Sequence, residues 1–310
     1  MTAPVAAAQL HPPAAPLMRA QTGSVYPWQC DQWGHLNVQF YALWFAEAAT
    51  HALLAHGCGP AALAAAGAVP FPRRQRVTYR KEFRLGEIAV TDAAVLPGPD
   101  ARTVTVLSRM REAISGRPST DCVVEMALHD GEDLSLRDWP AGPAPLAAAA
   151  ELGEEADLLA PWPVTLPDGR LPGMRECLRG VVNTWDCDQH GLATTKRFFG
   201  AFSDAGMGLM TALGLDPKDL LRAGLSSAAL EYRVVYDRPM RAGDAFVMFT
   251  GMAAVAGRKA WRFVHVLEDA ATGAPVARAD VVGVFIDAQA RRAVPPPDWV
   301  RSRTDGIRIG

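Results

Sequence analysis

The chain has 310 residues, of which 49% are hydrophobic and 21% are charged, and its formal net charge at pH 7 is -2. This balance is that of an ordinary globular protein, and it lacks the excess of positive charge that nucleic-acid binding requires. No stretch approaches the roughly 20 consecutive apolar residues that span a bilayer, so neither nucleic acid nor a membrane is an expected partner.

The first 22 residues are rich in alanine and proline and are predicted to form a flexible tail, because they lack the charged and apolar regions of a secretion signal. The five cysteines form no CxxC pair and no cluster at the spacing of zinc ligands. The sequence therefore predicts neither a metal site nor a disulfide framework, and it favours a cytoplasmic location.

In the region after this tail, a run without Gly or Pro over residues 37–56 has apolar residues at helical spacing and ends before Gly57. This pattern predicts a long, buried helix. A short strand near residues 23–28 is predicted to precede the helix. Stretches of alternating or continuous apolar character predict four strands after it, at residues 75–83, 87–96, 102–112 and 121–129.

A seven-residue phrase shows that this region occurs twice: residues 28–34 read WQCDQWG and residues 185–191 read WDCDQHG. Five of the seven positions agree at a separation of 157 residues, and further pairs keep this separation over about a hundred residues. Examples are Arg76 with Arg233 and Tyr79 with Tyr236. A constant offset over that length indicates a duplicated domain.

The second copy predicts the same order of elements, with a strand near 178–185 and a helix over 194–213. The four strands that follow are predicted near residues 229–238, 244–254, 258–268 and 275–286.

The predicted domains are residues 23–130 and 176–290, and a C-terminal extension is predicted at 291–310. Between the copies, residues 131–175 contain seven prolines and an alanine run, which is the composition of a linker. A short helix is predicted within it at 147–160.

The phrase places a carboxylate directly before each predicted helix, as Asp31 and Asp188. Unpaired N–H groups at a helix start carry the positive end of the helix dipole and favour a carbonyl oxygen that gains negative charge. A nearby carboxylate can attack such a carbonyl or activate water against it. The simpler alternative for a lone carboxylate here is a helix N-cap.

The first copy resembles the signature of hotdog-fold acyl-CoA thioesterases of the 4-hydroxybenzoyl-CoA thioesterase-like group. The resemblance covers about residues 24–130 and 178–287 and implies an α+β protein of two fused hotdog domains. Each would be a long central helix wrapped by an antiparallel sheet of about five strands, and the two would pair as an internal pseudo-dimer. The matching residues form the run Asp31-x-x-Gly34-His35-x-Asn37-x-x-x-Tyr41-x-x-Trp44-Phe45-x-Glu47-Ala48.

In that family the Asp of the phrase is the catalytic nucleophile or general base, so the resemblance implies that Asp31 cleaves an acyl-CoA thioester. His35 and Asn37 match the family motif and would orient water, substrate or the Asp. Alternatively, His35 is a buried, hydrogen-bonded histidine and Asn37 is the helix N-cap. The resemblance implies no metal and no organic cofactor, with coenzyme A present only as part of the substrate.

The second copy keeps Asp188 but has Leu192 and Thr194 in place of His35 and Asn37. The sequence therefore predicts one fully equipped catalytic site at Asp31. Whether Asp188 forms a second site or belongs to a repeat retained for structure is left open.

Since paired hotdog domains have their sites at the interface, residues of one copy are expected to line the site of the other. The candidates for substrate binding are polar and aromatic residues of the phrase, of the helix start and of the strand after each helix: Gln32, Trp33, Gln189, His190, Thr194, Tyr79 and Tyr236. For the two tyrosines, a core or pairing position is the simpler alternative.

Two rival functions are a hotdog enoyl-CoA hydratase or dehydratase and a non-catalytic acyl-binding protein. The acyl group, the choice between coenzyme A and acyl-carrier protein, and assembly into a homodimer or higher oligomer are left open by the sequence.

Overall fold

The computed structural model describes residues 16–140, 151–152, 158–160, 166–253 and 259–309. In the first copy, two helices follow one strand and precede the remaining strands, and a two-residue strand closes the order. These elements are β1 (Met18–Ser24), α1 (Val38–Ala55), α2 (Pro60–Ala65), β2 (Ala68–Tyr79), β3 (Ile88–Pro97), β4 (Thr103–Glu112), β5 (Pro118–Asp130) and β6 (Leu136–Arg137).

The second copy repeats the long elements 157 residues later and adds a helix at its end. Its elements are β7 (Arg175–Val181), α3 (Thr195–Ala212), α4 (Pro217–Arg222), β8 (Leu225–Tyr236), β9 (Ala245–Met252), β10 (Ala260–Asp269), β11 (Pro275–Asp287), β12 (Arg292–Val294) and α5 (Asp298–Thr304).

Within the described residues, the strands of both copies join in a 12-stranded sheet with the order β1-β3-β4-β5-β2-β8-β11-β10-β9-β7, where β6 pairs with β5 and β12 with β11. The central strands β2 and β8 pair antiparallel, with Arg76 opposite Arg233. These two arginines are equivalent in the repeat, so a pseudo-twofold axis passes between them. The structure confirms two fused domains that pair internally.

The long helices α1 and α3 lie side by side and share one hydrophobic core with the sheet. The equivalent residues Phe45 and Phe202 are each 1% exposed, and burial of such a side chain contributes about 1.5–3 kcal/mol. The hydroxyl of Thr195 at the start of α3 donates to the carbonyl of Ala42 on α1 at 3.3 Å. The start of α3 therefore faces the first copy.

The strands before the phrases begin earlier than predicted. β1 starts at Met18, within the residues predicted as a tail, because residues 18–24 pair with β3. The ends of the strands predicted near 23–28 and 178–185 fall instead in 3-10 turns at residues 27–29 and 184–186.

The strands β2 and β8 also begin seven and four residues before the predicted starts at 75 and 229. Pro70 and Pro72 are tolerated in β2 because they pair only with β5, outside the segment that pairs with β8. The short helices α2 and α4 were not predicted.

Most of the helix predicted at 147–160 lies outside the described residues. The predicted C-terminal extension packs on the second copy: β12 pairs with β11, and Val300 of α5 is buried. The backbone N–H of Ile309 donates to the carbonyl of Met252 at 2.9 Å. None of the helices in the described ranges is both long and apolar enough to cross a membrane.

Candidate active sites

The duplicated phrase folds into the same tight turn in both copies. The Oδ1 atom of Asp31 accepts the backbone N–H groups of Trp33 at 2.8 Å and His35 at 3.1 Å. The Oδ1 atom of Asp188 likewise accepts those of His190 at 2.8 Å and Leu192 at 3.1 Å. These bonds fix each carboxylate in its turn and leave its Oδ2 atom for chemistry.

A glycine closes each turn, and both Gly34 and Gly191 have a φ of 74°. This left-handed conformation is open to glycine at no steric cost. The Gly of the phrase is therefore a requirement of the turn that presents the carboxylate.

Asn37 is the N-cap of α1, the simpler of its two predicted roles. Its Oδ1 atom accepts the N–H of Gln39 at 3.1 Å, and its Nδ2 donates to the hydroxyl of Ser203 on α3 at 3.3 Å. Thr194 holds the equivalent position, but its hydroxyl donates to the carbonyl of Asp186 at 3.1 Å and makes no capping bond.

The side chain of His35 lies outside the cavity that Asp31 lines. It is 8% exposed, and its Nε2 is 3.0 Å from the Arg84 guanidinium and 3.8 Å from the Glu82 carboxylate. Arg291 of the second copy also binds Glu82. Burial lowers the pKa of His35. His35 thus belongs to an ionic cluster that joins the copies, and its hydrogen bonds with Asp31 are made by its backbone N–H and carbonyl groups.

The first cavity, at Asp31, has a volume of about 150 Å³ and is built from both copies. Asp31, Gln32, Trp33 and Asn37 form one wall. The second copy supplies the opposite walls from α3, β8, β10, β11 and the C-terminal region, including Ser203, Met207, Tyr232, Trp261, Phe263 and His265. Burial raises the pKa of Asp31, against the opposing effect of the backbone N–H groups, His35 and Arg84.

The second cavity, at Asp188, has a volume of about 240 Å³ and reverses the contributions of the copies. The second copy supplies Asp188, Gln189, His190 and Thr194. The first copy supplies walls from α1, α2, β2 and β5, including Glu47, Thr50, Leu53, Phe71, Gln75 and Val124.

Three titratable side chains accompany Asp188 in this second cavity, namely Glu47, Cys58 and His190. Glu47 is partly exposed, and burial of the rest of its side chain raises its pKa. The Nε2 atom of His190 is buried and has no hydrogen-bond partner in the part of the chain that the structure describes.

Tyr79 and Tyr236 lie in the core between the copies and line neither cavity. Their rings pack edge-on against Tyr41 and Phe198 at 5.2 and 5.1 Å between centroids. The hydroxyl of Tyr236 donates to Gln75 at 2.7 Å. Both tyrosines therefore take the alternative role of core residues, because the face of the strand that carries them points at the helices.

Sequence reasoning did not assign Glu47, Gln75, Tyr232 or Trp261 to a cavity. The constant offset relates two of these residues, because the equivalent positions Gln75 and Tyr232 line opposite cavities across the pseudo-twofold axis. The substrate-binding candidates of the two phrases, by contrast, all line the cavity of their own Asp.

Known proteins share this sequence pattern and fold. The sequence matches the profile of the thioesterase-like superfamily over residues 25–154 and 182–304. No curated protein matches it significantly.

Among solved structures, the 12:0-ACP thioesterase from Umbellularia californica is 13% identical with a TM-score of 0.63, over 90% of this chain and 94% of its own. A protein described as an oleoyl thioesterase from Lactobacillus plantarum is 10% identical with a TM-score of 0.66, over 87% and 98%. An acyl-ACP thioesterase from Bacteroides thetaiotaomicron is 14% identical with a TM-score of 0.58, over 86% and 96%.

At these identities the structural likeness establishes the fold, and the profile match, which covers most of the chain in two tandem segments, establishes the family. The chain therefore belongs to the thioesterase-like superfamily and is an enzyme of the thioester hydrolase class.

Proposed function

We propose that the protein is an acyl-CoA thioesterase that hydrolyses an acyl-CoA to the free acid and coenzyme A, with Asp31 and Asp188 as the carboxylates of two sites. One observation carries the proposal. Each Asp is fixed at the start of a long helix, on the wall of a cavity that the opposite copy completes.

The chemistry follows from this placement. N–H groups at the helix start stabilise the negative charge that develops on the thioester carbonyl oxygen, and one such donor contributes about 10²–10³-fold to catalysis. The free Oδ2 atom of the Asp acts on the carbonyl carbon as a nucleophile, or on water as a general base. The apolar part of each cavity holds the acyl chain.

The carrier and the cellular compartment are part of the proposal. Two of the similar structures are named as ACP thioesterases, so acyl-ACP is the alternative carrier, and parallel assays with both esters distinguish them. All five cysteines are free thiols, which supports a reducing, cytoplasmic location.

The test is release of free thiol from a panel of acyl-CoA esters by the parent chain and by Asp31→Asn, Asp188→Asn and the double variant. We expect the double variant to lose about 10³-fold in kcat, since it lacks both reactive carboxylates. Asp168→Asn is the matched control, because this exposed carboxylate lines neither cavity.

Full thiol release by the double variant would overturn the assignment of both sites. Hydration of crotonyl-CoA without thiol release would instead identify the rival hydratase. Binding of acyl-CoA without any turnover would identify a non-catalytic protein.

A further inference from the structure

The second cavity contains a basic side chain at a position where the first cavity has none. His190 is equivalent to Trp33 in the repeat, and each lines the cavity beside its own Asp. The backbone N–H of His190 donates to Oδ1 of Asp188, and both residues line the second cavity. Its buried Nε2 atom finds no partner within the described residues, although buried polar atoms are normally hydrogen-bonded.

Three other titratable side chains line the same cavity. Asp188 uses Oδ1 to hold its turn, and Cys58 is a buried thiol whose pKa burial raises. Glu47 is partly exposed and accepts a hydrogen bond from Gln21 at 3.4 Å. Among the titratable side chains described in this cavity, His190 is therefore the one with a buried nitrogen that has no hydrogen-bond partner.

The first cavity has a histidine too, but that histidine is already bonded. The Nδ1 atom of His265 lies 2.7 Å from the hydroxyl of Thr250, and burial lowers the pKa of His265 to about 3. Its ring also stacks on Phe202. The two cavities thus differ in whether a histidine nitrogen is available to accept a proton from water.

We propose that His190 is the general base of the Asp188 site, where it activates the water that completes hydrolysis. This inference rests on the proposed thioesterase function and assigns Asp188 the role of nucleophile. A carboxylate that has become acylated cannot also deprotonate water, so a second group is required.

The reaction then proceeds in two steps. Oδ2 of Asp188 bonds to the carbonyl carbon, the C–S bond breaks, and coenzyme A leaves as a thiolate. Water next adds to the acyl carbon, one of its protons passes to Nε2 of His190, and the bond from the acyl carbon to Asp188 breaks. The thiolate takes the proton from His190, so that the net products are the acid and the thiol.

The experiment uses full-length Asp31→Asn, in which only the second site can turn over, and mixes it rapidly with acyl-CoA. We expect His190→Gln in this background to release about one thiol per chain in a burst and then to turn over at least about 100-fold more slowly. Added imidazole should restore turnover to His190→Ala. Equal loss of burst and turnover, or loss of neither, would overturn the assignment.

The pH profile gives an independent readout. The pH dependence of turnover by Asp31→Asn should change in His190→Gln, because a general base must be unprotonated to accept a proton from water. A stalled burst in Glu47→Gln but not in His190→Gln would transfer the role of base to Glu47 and refute ours.

Two further variants separate the possible failures. His51→Gln is the matched control, because this histidine is exposed on α1 and lines neither cavity. If Asp188→Asn leaves thiol release intact in the Asp31→Asn background, the proposed function of this site fails. If Asp188→Asn abolishes release and His190→Gln is unaffected, only the role of His190 fails.

Discussion

The two cavities are equivalent in the repeat but differ in size and lining. The first, of about 150 Å³, is lined by Trp33 and Tyr232, whereas the second, of about 240 Å³, has His190 and Gln75 at the equivalent positions. The copy with the complete motif thus presents its Asp to the narrower cavity. Each cavity takes its walls from both copies, so the motif of one copy does not by itself determine which side chains line the site.

The motif residues have different roles in the two copies. In the first copy His35 joins the ionic cluster between the copies and Asn37 caps α1. In the second copy Leu192 is buried at the position of His35, and His190 occupies the cavity. Both copies fold into the same turn, but the histidine of the first turn lies outside its cavity and the histidine of the second turn lines its cavity.

The largest effect on stability should come from a difference between the two long helices. α1 contains no glycine, whereas α3 contains Gly200, Gly206 and Gly208. A Cβ atom at Gly208 would lie 1.9 Å from the carbonyl oxygen of Cys177, the residue at the irregularity in β7. We expect Gly208→Ala to lower the free energy of unfolding by about 1–3 kcal/mol, measured by urea denaturation.

Gly206→Ala is the matched control for this prediction. No atom lies within 4 Å of a Cβ at Gly206, so alanine should stabilise the helix by about 0.5–1 kcal/mol. Equal effects of the two changes would show that α3 does not depend on its close approach to β7.

The fold could be predicted from sequence because its signals are local or periodic. The spacing of Phe198, Phe202 and Leu209 predicted α3, and the 157-residue offset placed each element a second time. The start of β1 could not be read, because residues 18–24 form a strand only through pairing with β3, more than sixty residues away.

The site was predicted in part for a similar reason. The position of Asp31 and Asp188 before the two long helices follows from local patterns in the sequence. The direction of His35 depends on Glu82, Arg84 and Arg291, which only the folded chain brings together. The opposite walls of each cavity likewise come from the other copy, at positions that no local pattern marks.

A smaller effect should separate the equivalent tyrosines of the pairing strands. Tyr236 donates to the buried Oε1 of Gln75, whereas the buried hydroxyl of Tyr79 has no partner within the described ranges. Tyr236→Phe should cost about 1–2 kcal/mol, because it leaves a buried acceptor unpaired, and Tyr79→Phe should be neutral or stabilising. Urea denaturation of both variants tests this, and a greater loss in Tyr79→Phe would contradict it.

The smallest effect concerns the free energy of unfolding, which ionisation of the buried Asp31 lowers. Burial raises the pKa of this carboxyl above its unfolded value, so the folded state binds the proton more tightly and ionisation opposes folding. The penalty is absent below the unfolded pKa, near 3.9, and grows as pH rises through the raised pKa. Asp31→Asn removes the charge and keeps an oxygen that can accept the N–H bonds of Trp33 and His35.

We therefore expect Asp31→Asn to become progressively more stable than the parent as pH rises from about 4, as measured by denaturation at a series of pH values. Glu112→Gln is the control of opposite sign. Burial raises the pKa of Glu112, but hydrogen bonds from Ser115 and Ile114 outweigh it and lower the pKa. The stability that ionised Glu112 contributes is present above its unfolded pKa. Glu112→Gln should therefore become less stable than the parent over the same rise in pH. If the stabilities of the two variants relative to the parent change in the same direction with pH, ionisation of Asp31 does not oppose folding. The turn at Asp31 would then differ from an ordinary surface turn only in the cavity that it faces.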